Sequence, residues 1–288
     1  MNRVRALLEL IRAPAALTVL GDTLAGAAAA GRPTGRRSVS LAAASVCLYW
    51  SGMALNDYAD RHIDAKERPY RPIPSGRVSP HAALATASVL TGAGLVLAAR
   101  AGGRSACTIA APLAATVWAY DLRLKHTRFG PAAMATARAL DVLMGAGGDR
   151  WRRALPDATV IAGHTFALTL VSRKETTGAT ASLPAAALAA TGALSLVAAA
   201  LPGPATPLLR ATSTAVLAAY ATAAGGPQLA AVARPDAPHL TRAVAAGIHA
   251  LIPLQAALGA RHGAGRTAAM LLVTYPLARC LSRKVSPT

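Results

Sequence analysis

Asn56-Asp57-Tyr58-Ala59-Asp60-Arg61-His62-Ile63-Asp64, followed by Arg68-Pro69-Tyr70-Arg71-Pro72-Ile73-Pro74-Ser75-Gly76-Arg77, is the stretch on which the reading of this chain turns. It follows an uncharged run, 38–56, and opens the longest polar segment, 57–79. Asp57, Asp60, Asp64 and Glu67 put four of 12 acidic residues into this segment, in a chain with 30 Lys and Arg. Taken as continued helix, Asn56, Asp57, Asp60 and Asp64 fall within about 100° of arc, on one face. Four oxygen donors without a His or Cys at ligand spacing suit a hard cation. Mg²⁺ typically takes one or two carboxylates together with substrate phosphates. The plainer alternative is a solvated helix end whose carboxylates pair with nearby arginines. Pro69, Pro72 and Pro74 stiffen the segment after Arg68 and forbid helix there. Arg68 and Arg71 are thereby held near the carboxylates, and guanidinium forks match phosphate oxygens. A metal site beside fixed arginines reads as a diphosphate site.

Outward from that segment the chain is apolar. Of 288 residues 53% are hydrophobic, 15% charged and 4% aromatic, with a mean hydropathy of +0.39. Disorder is excluded, and a soluble domain usually carries about a quarter charged residues. Alanine dominates and there are two phenylalanines, so a large β-sandwich core is excluded and an all-α fold expected. About 20 apolar residues cross a bilayer core as helix. Candidate runs recur at 13–30, 38–56, 80–99, 105–121, 131–147, 155–172, 184–201, 207–225, 241–259 and 266–282, which predicts nine or ten spans. The run 241–259 is the least regular, because His249, Pro253 and Gln255 interrupt it. With the N-terminus inside, the inner segments hold 18 Lys and Arg and the outer ones 11, which favours that orientation. No linker is evident, so residues 1–288 are expected to form a single integral-membrane domain in the plasma membrane, with the motif loops cytoplasmic and no cleavable signal peptide. The net charge of +18 is spread singly or in small groups between uncharged runs, without the aromatic interleaving that nucleic-acid binding wants, so nucleic acid is not expected as a partner. Cys47, Cys107 and Cys280 have no metal spacing.

Charged residues inside spans default to functional hypotheses. Asp22 lies in the first run. Arg138 and Asp141 lie in the fifth at i, i+3, where they can pair with each other. Asp121 and Lys125 sit at i, i+4 at the end of the fourth. His164 is read as an interhelical hydrogen-bonding residue. Trp50, Trp118 and Tyr120 are read as interface anchors.

The run N-D-x-x-D-x-x-x-D followed by R-P-x-R-P-I-P-S-G resembles the first signature of the UbiA-type intramembrane prenyltransferase family. The resemblance extends to Arg12-Ala13-Pro14, to Tyr120-Asp121 with Leu124-Lys125, and to Arg138-Ala139-Leu140 with Gly145. It implies about nine helices around a central cavity, and transfer of a prenyl group from a prenyl diphosphate, bound through Mg²⁺, to an acceptor that is often aromatic. It further implies that Asn56, Asp57, Asp60 and Asp64 hold the metal, that Arg68 and Arg71 bind the diphosphate, and that Lys125, Arg138 and Asp141 serve catalysis. Lys125 is then a further cation for the leaving group, and Asp141 or Asp22 orients the acceptor or takes its proton. The sequence departs from the family's second aspartate-rich signature, which reads Ser172-Arg173-Lys174-Glu175-Thr176-Thr177-Gly178 here. Either Glu175 holds a second metal alone, or Arg173 and Lys174 replace its charge at the diphosphate. The altered signature leaves open a non-catalytic isoprenoid-binding relative, and intramembrane ion pairs also occur in transporters.

Overall fold

Inside a bilayer an Ala/Leu/Val run satisfies its backbone polar groups within itself only as helix. The computed structural model describes residues 3–32 and 34–282, and among these residues there is no strand. Arg283 and Lys284, which entered the charge count, lie outside the described residues. The described residues form eleven α-helices in order: α1 (Arg3–Leu10), α2 (Leu17–Ala29), α3 (Arg36–Ala59), α4 (Arg61–Glu67), α5 (Pro80–Ala119), α6 (Gly130–Gly145), α7 (Leu155–Ser172), α8 (Ser182–Ala200), α9 (Pro207–Ala233), α10 (Ala237–Arg261) and α11 (Gly265–Ser282). Every apolar run falls on one of these or on half of one. By length and composition, six helices among the described residues are long and apolar enough to cross a membrane: α3, α5, α7, α8, α9 and α10. The nine or ten expected spans exceed that number for two reasons. Three runs fall on helices outside the six, α2, α6 and α11, and α5 carries two runs by itself.

α5 is a hairpin of two helices. At Gly103 the backbone takes φ 63° and ψ −152°, a region essentially reserved for glycine. In its second half Trp118 Nε1 donates to Thr91 Oγ1 in its first half, at 3.0 Å. A straight helix would hold these residues about 40 Å apart. The runs 80–99 and 105–121 therefore lie side by side against α3, where Ser51 Oγ donates to the Ala87 carbonyl at 2.9 Å.

α10 is the central strut, with 78% of its apolar window buried, although its sequence is the most interrupted. Gln255 explains why the interruption is tolerated. It is fully buried, and its Nε2 donates to Asp22 Oδ1 and to the Thr18 carbonyl, both at 2.7 Å. α2 and α6 cross in backbone contact at Gly26 and Gly145. A Cβ on Gly145 would lie 2.0 Å from the Thr23 carbonyl oxygen, so small residues set this crossing. His164 on α7 bonds Tyr220 Oη at 2.8 Å and the Gly247 carbonyl at 3.0 Å, the interhelical role expected of it.

Candidate active site at the carboxylate end of the bundle

α3 stops at Ala59, and Asp60 (φ −87°, ψ 4°) turns the chain before α4 begins at Arg61. The continued helix expected for this segment does not form, and its four oxygen donors part company. Asp57 and Asp64, both buried, share Arg71: its Nη1 lies 3.3 Å from Asp57 Oδ1 and 2.7 Å from Asp64 Oδ2. Arg68 stands farther off, 3.9 Å from Asp64 Oδ1. Asp60 faces Lys125, whose Nζ is 2.7 Å from Oδ1, and His126 at 3.4 Å. Asn56 donates to Asp121 Oδ1 at 3.1 Å.

Two of these arrangements arise from backbone features that sequence patterning does not encode. Tyr120–Leu124 is a π-helical turn. The extra residue per turn rotates the chain beyond it, and Lys125 reaches across to Asp60 at the turn after α3. Arg12 sits between α1 and α2 with φ 46°, a left-handed conformation costing a branched-out side chain roughly 1–2 kcal/mol. Its Nη2 lies 3.2 Å from Asp57 Oδ1, and this buried pair holds the strained turn in place. Arg12 and Asp121 line the cavity, a place the motif reading did not give them. The signal available was the Arg12-Ala13-Pro14 break for one and the i, i+4 position relative to Lys125 for the other.

Beneath these groups lies a cavity of about 340 Å³, within the usual range for small-molecule sites. Arg12, Asn56, Tyr120, Asp121 and Glu175 line its mouth, and Leu48, Met53, Leu113, Val117, Met134 and Leu168 its walls. Ser45, Arg138 and Asp141 line its far end. Ser45 lies eleven residues before Asn56 on α3, so the far end is about 16 Å below the mouth. There the expected Arg138–Asp141 pair does not form. Arg138 Nε lies 3.0 Å from Asp22 Oδ2 on α2, and its Nη2 donates to the Thr18 carbonyl at 3.1 Å. Ser45 Oγ donates to Asp141 Oδ2 at 2.6 Å. The close α2–α6 crossing presents Asp22 to Arg138 and takes it from its helical neighbour. Asp141 Oδ1 is left buried with no hydrogen-bond partner among the described residues.

After α7 the chain leaves helix in successive turns, which aim Arg173, Lys174 and Glu175 apart. The Arg173 guanidinium donates to the Thr127 carbonyl and ties the end of α7 to the Lys125 turn. Lys174 is exposed and lines an outer groove with Arg234 and Asp236, so it is not brought to the cavity with the other cations. Glu175 alone turns inward. Burial pushes its carboxyl above the ordinary glutamate value, and the Arg68 guanidinium pulls it the other way. Its Oε2 is buried without a partner among the described residues.

The donor chemistry at the mouth is oxygen from Asn56, Asp57, Asp60, Asp64, Asp121 and Glu175, which fits a hard dication. Among the described residues no three carboxylate, imidazole or thiol groups converge as a metal-holding cluster. The four-donor face expected from helical spacing is corrected accordingly. A Mg²⁺ here fits one or two of these carboxylates, with phosphate and water oxygens completing its shell.

Residues 16–234 match the model of the UbiA prenyltransferase family. Three digeranylgeranylglyceryl phosphate synthases are similar in sequence. That of Ignicoccus hospitalis is 37% identical over 146 residues, covering 50% of this chain and 47% of the relative. That of Methanopyrus kandleri is 41% identical over 131 residues, covering 43% and 45%, and that of Natronomonas pharaonis 44% over 98 residues, covering 34% and 35%. The matched part thus spans less than half the length of these relatives. Two solved structures share the fold. A UbiA homologue from Aeropyrum pernix K1, in its apo form, superimposes with a TM-score of 0.62 at 19% identity, over 84% of this chain and 96% of that one. A UbiA homologue from Archaeoglobus fulgidus bound to GPP and Mg²⁺ gives 0.60 at 15% identity, over 95% and 99%.

Proposed function

Because this chain belongs to the UbiA prenyltransferase family, we propose that it transfers a prenyl group from a prenyl diphosphate to a hydroxyl-bearing acceptor inside the membrane, releasing pyrophosphate. The observation that carries this reading is the cavity itself: a mouth lined by charged and polar groups, opening onto apolar walls. The GPP and Mg²⁺ of the Archaeoglobus fulgidus neighbour support the donor and the metal. The name shared by the sequence relatives supports an acceptor built on glyceryl phosphate.

In this reading one or two of the carboxylates Asp57, Asp60, Asp64 and Glu175 would hold Mg²⁺, with phosphate and water oxygens completing its shell. When bound, the ion supplies Lewis-acid stabilisation to the departing diphosphate. Arg12, Arg68, Arg71, Lys125 and Arg173 neutralise phosphate oxygens at the mouth, where charge developing in a poorly solvated site is stabilised by groups already in place. The apolar walls shield the prenyl chain from water. The C1–O bond of the donor breaks, its electrons leave with pyrophosphate, and the acceptor oxygen bonds to C1. Asp121, which lines the mouth beside the diphosphate, is the carboxylate placed to accept the acceptor's proton, whereas Asp141, held by Ser45, and Arg138 lie about 16 Å deeper and shape the far end of the cavity. We place the protein in the plasma membrane as one domain, 1–288, with the mouth on the cytoplasmic side, on the strength of the Lys and Arg asymmetry.

The test is pyrophosphate release by the purified protein in lipid nanodiscs, offered C10 to C20 prenyl diphosphates with a panel of acceptors. Release that requires Mg²⁺ and is lost in Asp60→Ala is expected. Mg²⁺-dependent binding of donor without release, with a glyceryl phosphate acceptor present, would instead mark a non-catalytic isoprenoid-binding protein.

A further inference from the structure

We propose that the end of the bundle remote from the carboxylates is a docking surface for anionic lipid headgroups, formed by arginines from three loops that the fold ties together. The loops are 30–37, 100–105 and 146–153. Arg37 Nη2 donates to the Gly147 carbonyl at 2.9 Å, and Arg32 Nε to the Ala146 carbonyl at 3.1 Å. Arg150 Nη1 donates to the Ala30 carbonyl at 3.2 Å. The α5 hairpin joins them, since Ser105 Oγ reaches the Gly147 carbonyl at 3.4 Å.

Charge at this end is one-sided. The single acid in these loops, Asp149, is taken up by Arg32 at 2.5 Å and Arg37 at 3.4 Å. Arg36, Arg100, Arg104, Arg152 and Arg153 are exposed, and none of them has a carboxylate partner among the described residues. Their height matches a headgroup layer. Between Arg37 and Asp57 the chain carries no charged residue, and Arg36 to Asp57 is about 30 Å of helix, the thickness of a bilayer's hydrocarbon core. If the carboxylate end lies at one interface, these arginines lie at the other.

What favours lipid over a soluble anion is the surface one turn inward. Val39 lies below Arg36 and is 60% exposed, Val96 lies below Arg100 at 48%, and Leu155 lies below Arg152 at 40%. A ligand seated here meets guanidinium groups at its head and an apolar rail along its tail. Trp151, with the Arg152 guanidinium 5.4 Å from its ring centroid, adds a side chain suited to the interface.

The test is native mass spectrometry of the detergent-purified protein titrated with phosphatidylglycerol or phosphatidylcholine. Wild type is expected to retain phosphatidylglycerol at least tenfold better. Each basic residue near an anionic surface contributes about fivefold. The variant Arg100→Gln/Arg104→Gln/Arg152→Gln/Arg153→Gln should therefore lose the preference. The two double variants that compose it should each lose at least about fivefold, which keeps the test intact if the fourfold change fails to fold. Lys66→Gln/Arg128→Gln, at the other end, should leave the preference unchanged. Equal retention of the two lipids by wild type would overturn the proposal. So would an undiminished preference in both double variants, an equal loss in the Lys66/Arg128 variant, or displacement of the lipid by millimolar inorganic phosphate.

Discussion

Lys125 is the residue on which the leaving-group chemistry leans most heavily. Its side chain is 7% exposed and its Nζ is 2.7 Å from Asp60, so it is already desolvated and aimed. A preplaced cation in such a site contributes on the order of 10²–10³ in turnover. Lys125→Ala is expected to lower the rate of Mg²⁺-dependent pyrophosphate release by about that factor, with Lys125→Arg recovering part of it. Equal rates in wild type and Lys125→Ala would remove it from the mechanism. Glu175 makes a different prediction. Its carboxyl titrates above the ordinary value of 4.5, chiefly because it is buried. The folded state therefore holds the proton more tightly than the unfolded state, and ionising Glu175 weakens the fold. Its contribution is complete below the ordinary glutamate pKa and is lost as pH rises through the raised one. Glu175→Gln should match wild type in thermal midpoint below that window and exceed it above. A constant difference at every pH would deny the titration.

At the scale of elements, Gly103 is where a single Cβ tells most. Nothing lies within 4 Å of one built there, so Gly103→Ala tests backbone conformation alone, and a strained residue of this kind costs about 1–3 kcal/mol. A drop in thermal midpoint is expected, and an unchanged one would mean that the α5 hairpin tolerates another turn. Gly145 tests the opposite case. A side chain there strikes the Thr23 backbone, so Gly145→Val should part α2 from α6, separate Arg138 from Asp22, and cost more than Gly103→Ala. These two glycines also mark what the sequence made legible. Apolar runs separated by Gly102-Gly103-Arg104 were readable as two helices, because period and punctuation are local. The break at Asp60 was not, since α3 continues into α4 with no proline or glycine to announce it. Nor was the Arg138–Asp22 pairing. Spacing along one helix suggests i, i+3 partners, whereas the preference for Asp22 comes from an interhelical crossing. The same limit explains why Arg173, Lys174 and Glu175, adjacent in sequence, separate in space.

At the scale of the whole molecule, the carboxylate end gathers groups from distant parts of the chain: Arg12, before α2, and Glu175, after α7, line the mouth of the cavity, while Asp57 on α3, Arg71 in the proline loop and Lys125 after the π-helical turn stand beside it in ion pairs. Arg12 and Arg71 now compensate Asp57 and Asp64, and a buried carboxylate stripped of its cation costs about 3–5 kcal/mol. A diphosphate alone would draw the arginines away from these acids, and a dication alone would displace them without giving them a new partner. Diphosphate and dication together satisfy both sets, since the metal takes carboxylate oxygens while the guanidinium groups turn to phosphate. Binding of the two is therefore expected to be cooperative. A ligand at a hundred times its dissociation constant adds about 2.7 kcal/mol of stability. A non-hydrolysable prenyl diphosphate analogue with Mg²⁺ should raise the thermal midpoint by more than the sum of the shifts each produces separately, and Arg71→Ala should abolish the excess. Strictly additive shifts in wild type would mean that the arginines and the metal do not compete for the same carboxylates, and the ion pairs at the mouth would then be structural in the liganded protein as well.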